Sequence, residues 1–194
     1  MYSIALVVFF SYLSWKVLCE PSFIYKLKNM ECSTVPGFSA NASCRIKPVN
    51  WNKAVAEMDV DLARTLKNIS IRVQFYMRDY SNQYQPFLVD VMINFCNILS
   101  KRNFLPYGIM ILQVTKRFSN FNHSCPYSGH LMARDAYFDE TFAPNLFPLG
   151  FYKVNITIME GYVRAPSAHV GNIVSYVQVM QAYRSKKKSN RTKS

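Results

Sequence analysis

No Gly-x-Ser-x-Gly elbow, Walker loop, dinucleotide fingerprint or His-Glu-x-x-His run occurs in these 194 residues. The local patterns that carry many hydrolases, nucleotide enzymes, dehydrogenases and zinc proteases are therefore missing. No Cys-x-x-Cys pair is present, which leaves zinc ribbons and thioredoxin chemistry without support. Histidine is scarce, with only His123, His130 and His169. His123, Cys125 and His130 can be drawn as a metal cluster, but their spacing fits no common template and an oxidised Cys125 could not ligate. Neither a metal nor a cofactor is expected. Glu57, Asp59 and Asp61 alternate along one stretch and read as a solvated strand face, because an acid/base pair normally converges from different elements. Asp139-Glu140 reads as a turn. With no nucleophile and base to name, a non-enzymatic protein is expected. Interior linkers and internal repeats are absent too, so residues 20–183 read as one domain.

Long apolar runs are also lacking. The N-terminal run from about Ile4 to Leu13 is too short to span a bilayer and suits the apolar core of a signal peptide. No Lys or Arg precedes it, and Lys16 lies on its far side. Cleavage after Cys19 would remove residues 1–19 and leave Cys32, Cys44, Cys96 and Cys125. In an oxidising compartment four cysteines form two disulfides most simply, with three connectivities open. Proximity in sequence favours Cys32–Cys44 and Cys96–Cys125. Five glycosylation sequons begin at Asn41, Asn68, Asn122, Asn155 and Asn190. Each is an acceptor only in the secretory pathway, and together they point to an extracellular glycoprotein.

The net charge of +12 is concentrated at one end. Residues 184–194 hold six bases and no acid, whereas residues 20–183 carry 16 bases against 11 acids. A disordered, solubilising tail is the plain interpretation. In a secreted chain such a tail could also touch a receptor or an anionic membrane surface. Nucleic acid is not an expected partner, since the sequons and cysteines place the tail outside the cytosol.

Period-two alternation dominates the middle of the chain. Ile69, Ile71, Val73, Phe75 and Met77 alternate with polar neighbours, as do Ala54, Ala56, Met58, Val60 and Leu62. Ala42, Cys44 and Ile46 repeat the pattern, and so do Tyr152, Val154, Ile156 and Ile158. Such stretches are strands with one buried face. Asn41, Asn68 and Asn155 all fall on the polar face, where a glycan could be carried, and a slip of one residue would bury them. Pro86 to Ile93 reads as a strand running into a helix whose buried face holds Met92, Phe95, Cys96 and Leu99. A second helix is read over Gly108 to Phe118, with Ile109, Leu112 and Lys116 at helical spacing. The predicted fold is mainly β: a two-sheet, immunoglobulin-like sandwich with one or two short helices in the middle third.

Aromatic residues make up 15% of the chain and methionine adds nine more. Large, soft side chains on two facing sheets either fill a core or part to admit an apolar guest. A chain of about 16 carbons so enclosed would gain up to ~12 kcal/mol gross, at ~0.8 kcal/mol per methylene, before the costs of association. The expected lining is Ile46, Met58, Val60, Leu62, Ile71, Val73, Phe75, Val154, Ile156 and Ile158, with Phe87, Phe138 and Phe142 at the mouth. The partner implied is a hydrophobic small molecule or lipid. The alternative is a secreted protein–protein interaction module with a fully packed core. An apolar cavity of a few hundred cubic ångströms would favour the carrier, and a dense interior the module.

Four segments carry a family resemblance: Asn41-Ala-Ser-Cys-Arg-Ile-Lys47, Tyr84-Gln-Pro-Phe-Leu88, Asn94-Phe-Cys96 and Ser119-Asn-Phe-Asn-His-Ser-Cys-Pro-Tyr127. In this order they resemble an insect family of secreted proteins of unknown function related to the CheB chemosensory proteins of flies. More distantly, Cys125-Pro-Tyr-Ser-Gly129, Phe142-Ala-Pro144 and Pro148-Leu-Gly-Phe-Tyr-Lys-Val154 are similar to the ganglioside-activator branch of the ML lipid-recognition superfamily. The resemblance implies an ML-type sandwich that holds lipid between its sheets, with a role in chemosensory or pheromone perception. That superfamily often ties its first strand to its last by a disulfide, and here no cysteine follows Cys125.

Overall fold

The alternation of Ile69, Ile71 and Val73 with Ser70 and Arg72 leaves a strand only one way to sit. In the computed structural model the three aliphatic side chains are buried while Arg72 stands in solvent. This strand, β4 (Ile69–Arg78), lies inside a sheet and pairs antiparallel with β5 (Tyr84–Asn94) and β7 (Gly150–Glu160). The model describes residues 23–101, 106–138, 147–161 and 166–182. The predicted signal segment 1–19, the basic tail 184–194, Asn190, Phe142 and the Asp139-Glu140 turn lie outside the described residues.

Eight strands and two helices are found among the described residues. β1 (Phe23–Thr34) and β8 (Ala168–Gln181) complete a five-stranded antiparallel sheet in the order β1-β8-β7-β4-β5. β2 (Ser39–Pro48), β3 (Ala54–Leu62) and β6 (His130–Ala136) form a three-stranded antiparallel sheet in the order β2-β3-β6. The expected two-sheet β-sandwich is what forms. The larger sheet outnumbers the smaller by two strands. The helices α1 (Phe95–Lys101) and α2 (Pro106–Phe118) arise between β5 and β6, and α2 packs beside β6.

Local chemistry explains where the chain turns. Asp79 accepts hydrogen bonds from the Ser81 and Gln83 amides at 2.9 Å each, closing the β4–β5 hairpin. Asn82 there adopts φ +64°, a conformation asparagine tolerates. Asn50 closes the β2–β3 hairpin in the same way, accepting from the Asn52 and Lys53 amides. Asn94 ends β5 and caps α1, its side chain accepting from the Asn97 amide at 2.9 Å. The helix therefore starts at Phe95, and Met92 is an exposed residue of β5 rather than a buried helical one. The buried stripe of α2 also differs from expectation. Ile111, Val114 and Thr115 turn inward at helical spacing, whereas Ile109 and Lys116 are exposed.

Two disulfides hold the arrangement together, and both have the expected pairing. Cys32 in β1 joins Cys44 in β2, bridging one sheet to the other with Cα atoms 5.7 Å apart. Cys96, in the first turn of α1, joins Cys125 ahead of β6, with Cα atoms 5.3 Å apart. Next to it, Leu66 and Tyr127 exchange backbone hydrogen bonds of 2.8 and 2.9 Å, and both are almost fully buried. Glu160, at the end of β7, is buried and accepts from Arg64 Nη2 at 2.7 Å and the Lys67 amide at 2.9 Å. That carboxylate fixes the loop leading from β3 into β4. At Gly171 a Cβ would lie 2.5 Å from the Ser33 carbonyl oxygen, so only glycine lets β1 and β8 approach this closely.

Candidate functional site

The inner faces of the two sheets do not close on each other. Between them lies a cavity of about 360 Å³, within the ~300–1,000 Å³ range of small-molecule sites. Among the described residues no charged side chain lines it. Its long axis follows the strands. Leu62, Leu66, Ile69, Tyr127 and Val170 surround one end, and Tyr25, Phe75, Phe138 and Val177 the other. The six-residue step from Ile69 to Phe75 corresponds to about 20 Å of strand.

The expected lining is brought together in large part. Met58, Val60 and Leu62 contribute from β3; Ile71, Val73 and Phe75 from β4; and Val154, Ile156 and Ile158 from β7. Phe138 also lines the cavity, at the end occupied by Phe75, and is 39% exposed. Ile46 does not line the cavity. It is half-buried on β2 opposite Ala56, and it is Ala56 that reaches the cavity there. Phe87 does not line it either. Its ring packs 5.6 Å from that of Tyr152 in a separate cluster with Tyr25 and Val179.

Other lining residues were missed. Tyr25, Leu27 and Met30 come from β1, where a bulge between Leu27 and Asn29 breaks the two-residue period. Ile173, Ser175 and Val177 come from β8, whose inward face also includes Gly171 and so does not read as apolar. Met110, Ile111 and Val114 of α2 supply the wall where the smaller sheet has no further strand.

Burial governs the ionisation of the tyrosines nearby. Desolvation pushes Tyr127 up to about 12, and its hydroxyl donates to the Phe121 carbonyl at 3.2 Å and to that of His123. Tyr152 is likewise pushed up to about 12, first by burial and then by Tyr25, and donates to the Pro148 carbonyl at 2.8 Å. Both stay neutral through the physiological range.

The outer face of the three-stranded sheet carries a charged network. Glu57 pairs with Arg45 at 2.5 Å, and Asp59 with Arg134. His130 bridges Asp61 through Nδ1 at 2.6 Å and Asp59 through Nε2 at 3.1 Å. The Arg134 hydrogen bond holds Asp59 below the usual carboxylate range, and the His130 hydrogen bond does the same for Asp61. The Asp61 hydrogen bond raises His130 in return. The three carboxylates are therefore partnered surface groups and face away from the cavity. Among the described residues no cluster of His, Cys, Asp and Glu could hold a metal ion. Cys125 is in its disulfide, and the His123 ring lies against that of Tyr127 at 4.8 Å. Of the sequon asparagines, Asn41, Asn68 and Asn122 are exposed, while Asn155 is half-buried and donates to Gln74 at 3.3 Å.

Fold and interior together define a disulfide-linked β-sandwich enclosing an apolar void. The model of a family described as "Protein of unknown function (DUF1091)" matches residues 71–154, from β4 through both helices and β6 into β7. No curated protein matches the chain. Among solved structures, the crystal structure of the C-terminal domain of wzt is similar over 86% of this chain and 83% of that one, with 8% identity and a TM-score of 0.33. A likeness that loose carries no argument about function. Among the described residues no helix is long and apolar enough to cross a membrane.

Proposed function

We propose that this protein is a secreted, non-enzymatic carrier of a lipid or other hydrophobic molecule, held lengthwise between its two sheets. The observation that carries the reading is the cavity of about 360 Å³, lined almost wholly by apolar groups. Apolar walls held apart forgo burial worth ~25 cal/mol per Å² together with their packing contacts. A bound apolar guest offsets this cost, whereas a module acting only through its surface has no use for the void. The five sequons and two disulfides support an extracellular address. The resemblance to CheB-related and ML-type proteins supports a chemosensory role.

The test is extraction of the glycoprotein, secreted from eukaryotic cells, followed by mass spectrometry of what it releases and by loading with fatty acids, hydrocarbons and glycolipids. Stoichiometric lipid, or saturable loading with one of these classes, is the expected outcome. An empty protein that binds none of them would end the proposal.

A further inference from the structure

The two ends of the sandwich differ in character. Strand registers place the β4–β5 hairpin, the starts of β1 and β7 and the finish of β8 at one end. Lys26 of β1 donates to the Trp51 carbonyl, which sets the β2–β3 hairpin at that end too. Eight large apolar or aromatic side chains are exposed among the described residues. Five of them, Val49, Trp51, Tyr80, Phe138 and Leu149, gather here, and Trp51 is 70% exposed at its hairpin tip. Lys26, Lys28, Lys47, Lys53 and Arg78 stand around them, and the ion pairs of the described residues all involve other bases. Asp79 and Asp135 are the described acids at this end, so positive charge prevails. β8 stops here at Gln181, and the six bases of residues 184–194 follow it in the chain.

The far end, about 30 Å away along β4, is polar. Three sequon asparagines are exposed there. Asn41 lies opposite Asp61, the Asn68 carbonyl accepts from the Gly161 amide, and Asn122 sits between Phe121 and His123, whose carbonyls hold Tyr127. Glycans on these positions keep that end in water and leave the other bare.

We propose that the bare end docks on a bilayer containing anionic lipid, with Trp51 and Val49 in the headgroup layer and the lysines against phosphates. Aromatic rings settle at headgroup depth, and bases are drawn to the negative surface around them. A sulfated glycan would engage the bases alone and leave Trp51 in water. Phe75 and Phe138 line the cavity at this same end, so docking brings chamber and lipid together. The inference goes beyond the carrier reading and stands on surface residues alone.

The experiment uses the secreted glycoprotein and vesicles of phosphatidylcholine, alone or with about one-third phosphatidylserine. Trp51 is the one tryptophan beyond residue 19, so its emission reports on this hairpin directly. A saturable blue shift and co-sedimentation with the anionic vesicles are expected, about tenfold weaker or more with phosphatidylcholine alone. Trp51→Ser, and separately Lys28→Glu with Lys47→Glu, should each weaken co-sedimentation about tenfold, with melting midpoints confirming that the variants fold. Lys67→Glu, an exposed base at the far end, should leave binding within about twofold. No co-sedimentation, binding that leaves Trp51 emission unmoved, or an equal loss from Lys67→Glu would each overturn the inference. A protein that ignores vesicles yet loads lipid keeps the carrier reading, and one that docks but loads nothing keeps this inference alone.

Discussion

Filling the void from within separates a true cavity from a tightly packed core. Ala133 of β6 stands opposite Met58, shares its inward face and lines the cavity. Ala133→Phe projects a benzyl group toward the space between the sheets. Burying roughly 100 Å² of new apolar surface at ~25 cal/mol per Å² is worth at most ~2.5 kcal/mol. Rotamer restriction and imperfect fit reduce that to about 1–2 kcal/mol of added stability in the unliganded protein. In a domain of this size such a gain corresponds to a rise in melting temperature of about 2–8 °C. A packed interior gives the opposite sign, a loss of about 1–3 kcal/mol from overpacking. The same ring occupies volume the guest requires, so apolar-probe affinity should fall at least tenfold while stability rises. The assay is urea unfolding of the delipidated protein, paired with probe titration. A destabilised variant, or a stabilised one that binds the probe as before, would refute the cavity argument.

Glu160→Ala strips the Lys67 amide and Arg64 of a buried acceptor, and should cost about 2–4 kcal/mol by chemical denaturation; a change under about 0.5 kcal/mol would mean the loop is held by other contacts. The surface network is pH-dependent in a defined sense. His130 is raised above 6.5, so its contribution is complete below that value and is lost as pH rises through the folded pKa. Asp59 and Asp61 are depressed below 3.8, so theirs is present above that value and is lost as pH falls through the folded values. The network is fully formed between these limits. An NMR titration should place His130 above 6.5, and Asp61→Asn should lower it, whereas an unmoved His130 would dissolve the coupling. Replacing both Cys32 and Cys44 by serine opens a short loop and should cost about 3 kcal/mol on loop-entropy grounds, and the Cys96–Cys125 pair slightly more. Non-reducing peptide mapping checks the pairing itself, and any crossed peptide would contradict the structure.

How much of this was legible depends on whether a segment keeps one period. β4 was readable because five apolar residues, Ile69 to Met77, recur at every second position without interruption. β1 was not, since its bulge moves the inward set from Tyr25 and Leu27 to Met30 and Cys32. β8 hid its inward face behind Gly171 and Ser175, which carry no hydrophobic signal. In α2 the apolar residues Ile109 and Leu112 drew the predicted stripe to the wrong side, since hydrophobic side chains occur all round that helix. The void itself has no sequence signature. Whether two apolar faces touch depends on the elements packed at their margins, and here α1 packs on β4 and β5 while α2 packs beside β6. Ser39, buried at the start of β2, was missed for a related reason, because the extra residue Ala40 reverses the alternation there.

Substituting a helix for two strands has a mechanical corollary. Within each sheet the walls are woven by interstrand hydrogen bonds, and the β1–β2 flank is sewn by the Cys32–Cys44 bond. Along α2 the barrier is only side chains leaning on side chains, Met110, Ile111 and Val114 among them. Side chains can give way along that flank without disturbing a ladder, so it is the most yielding wall among the described residues.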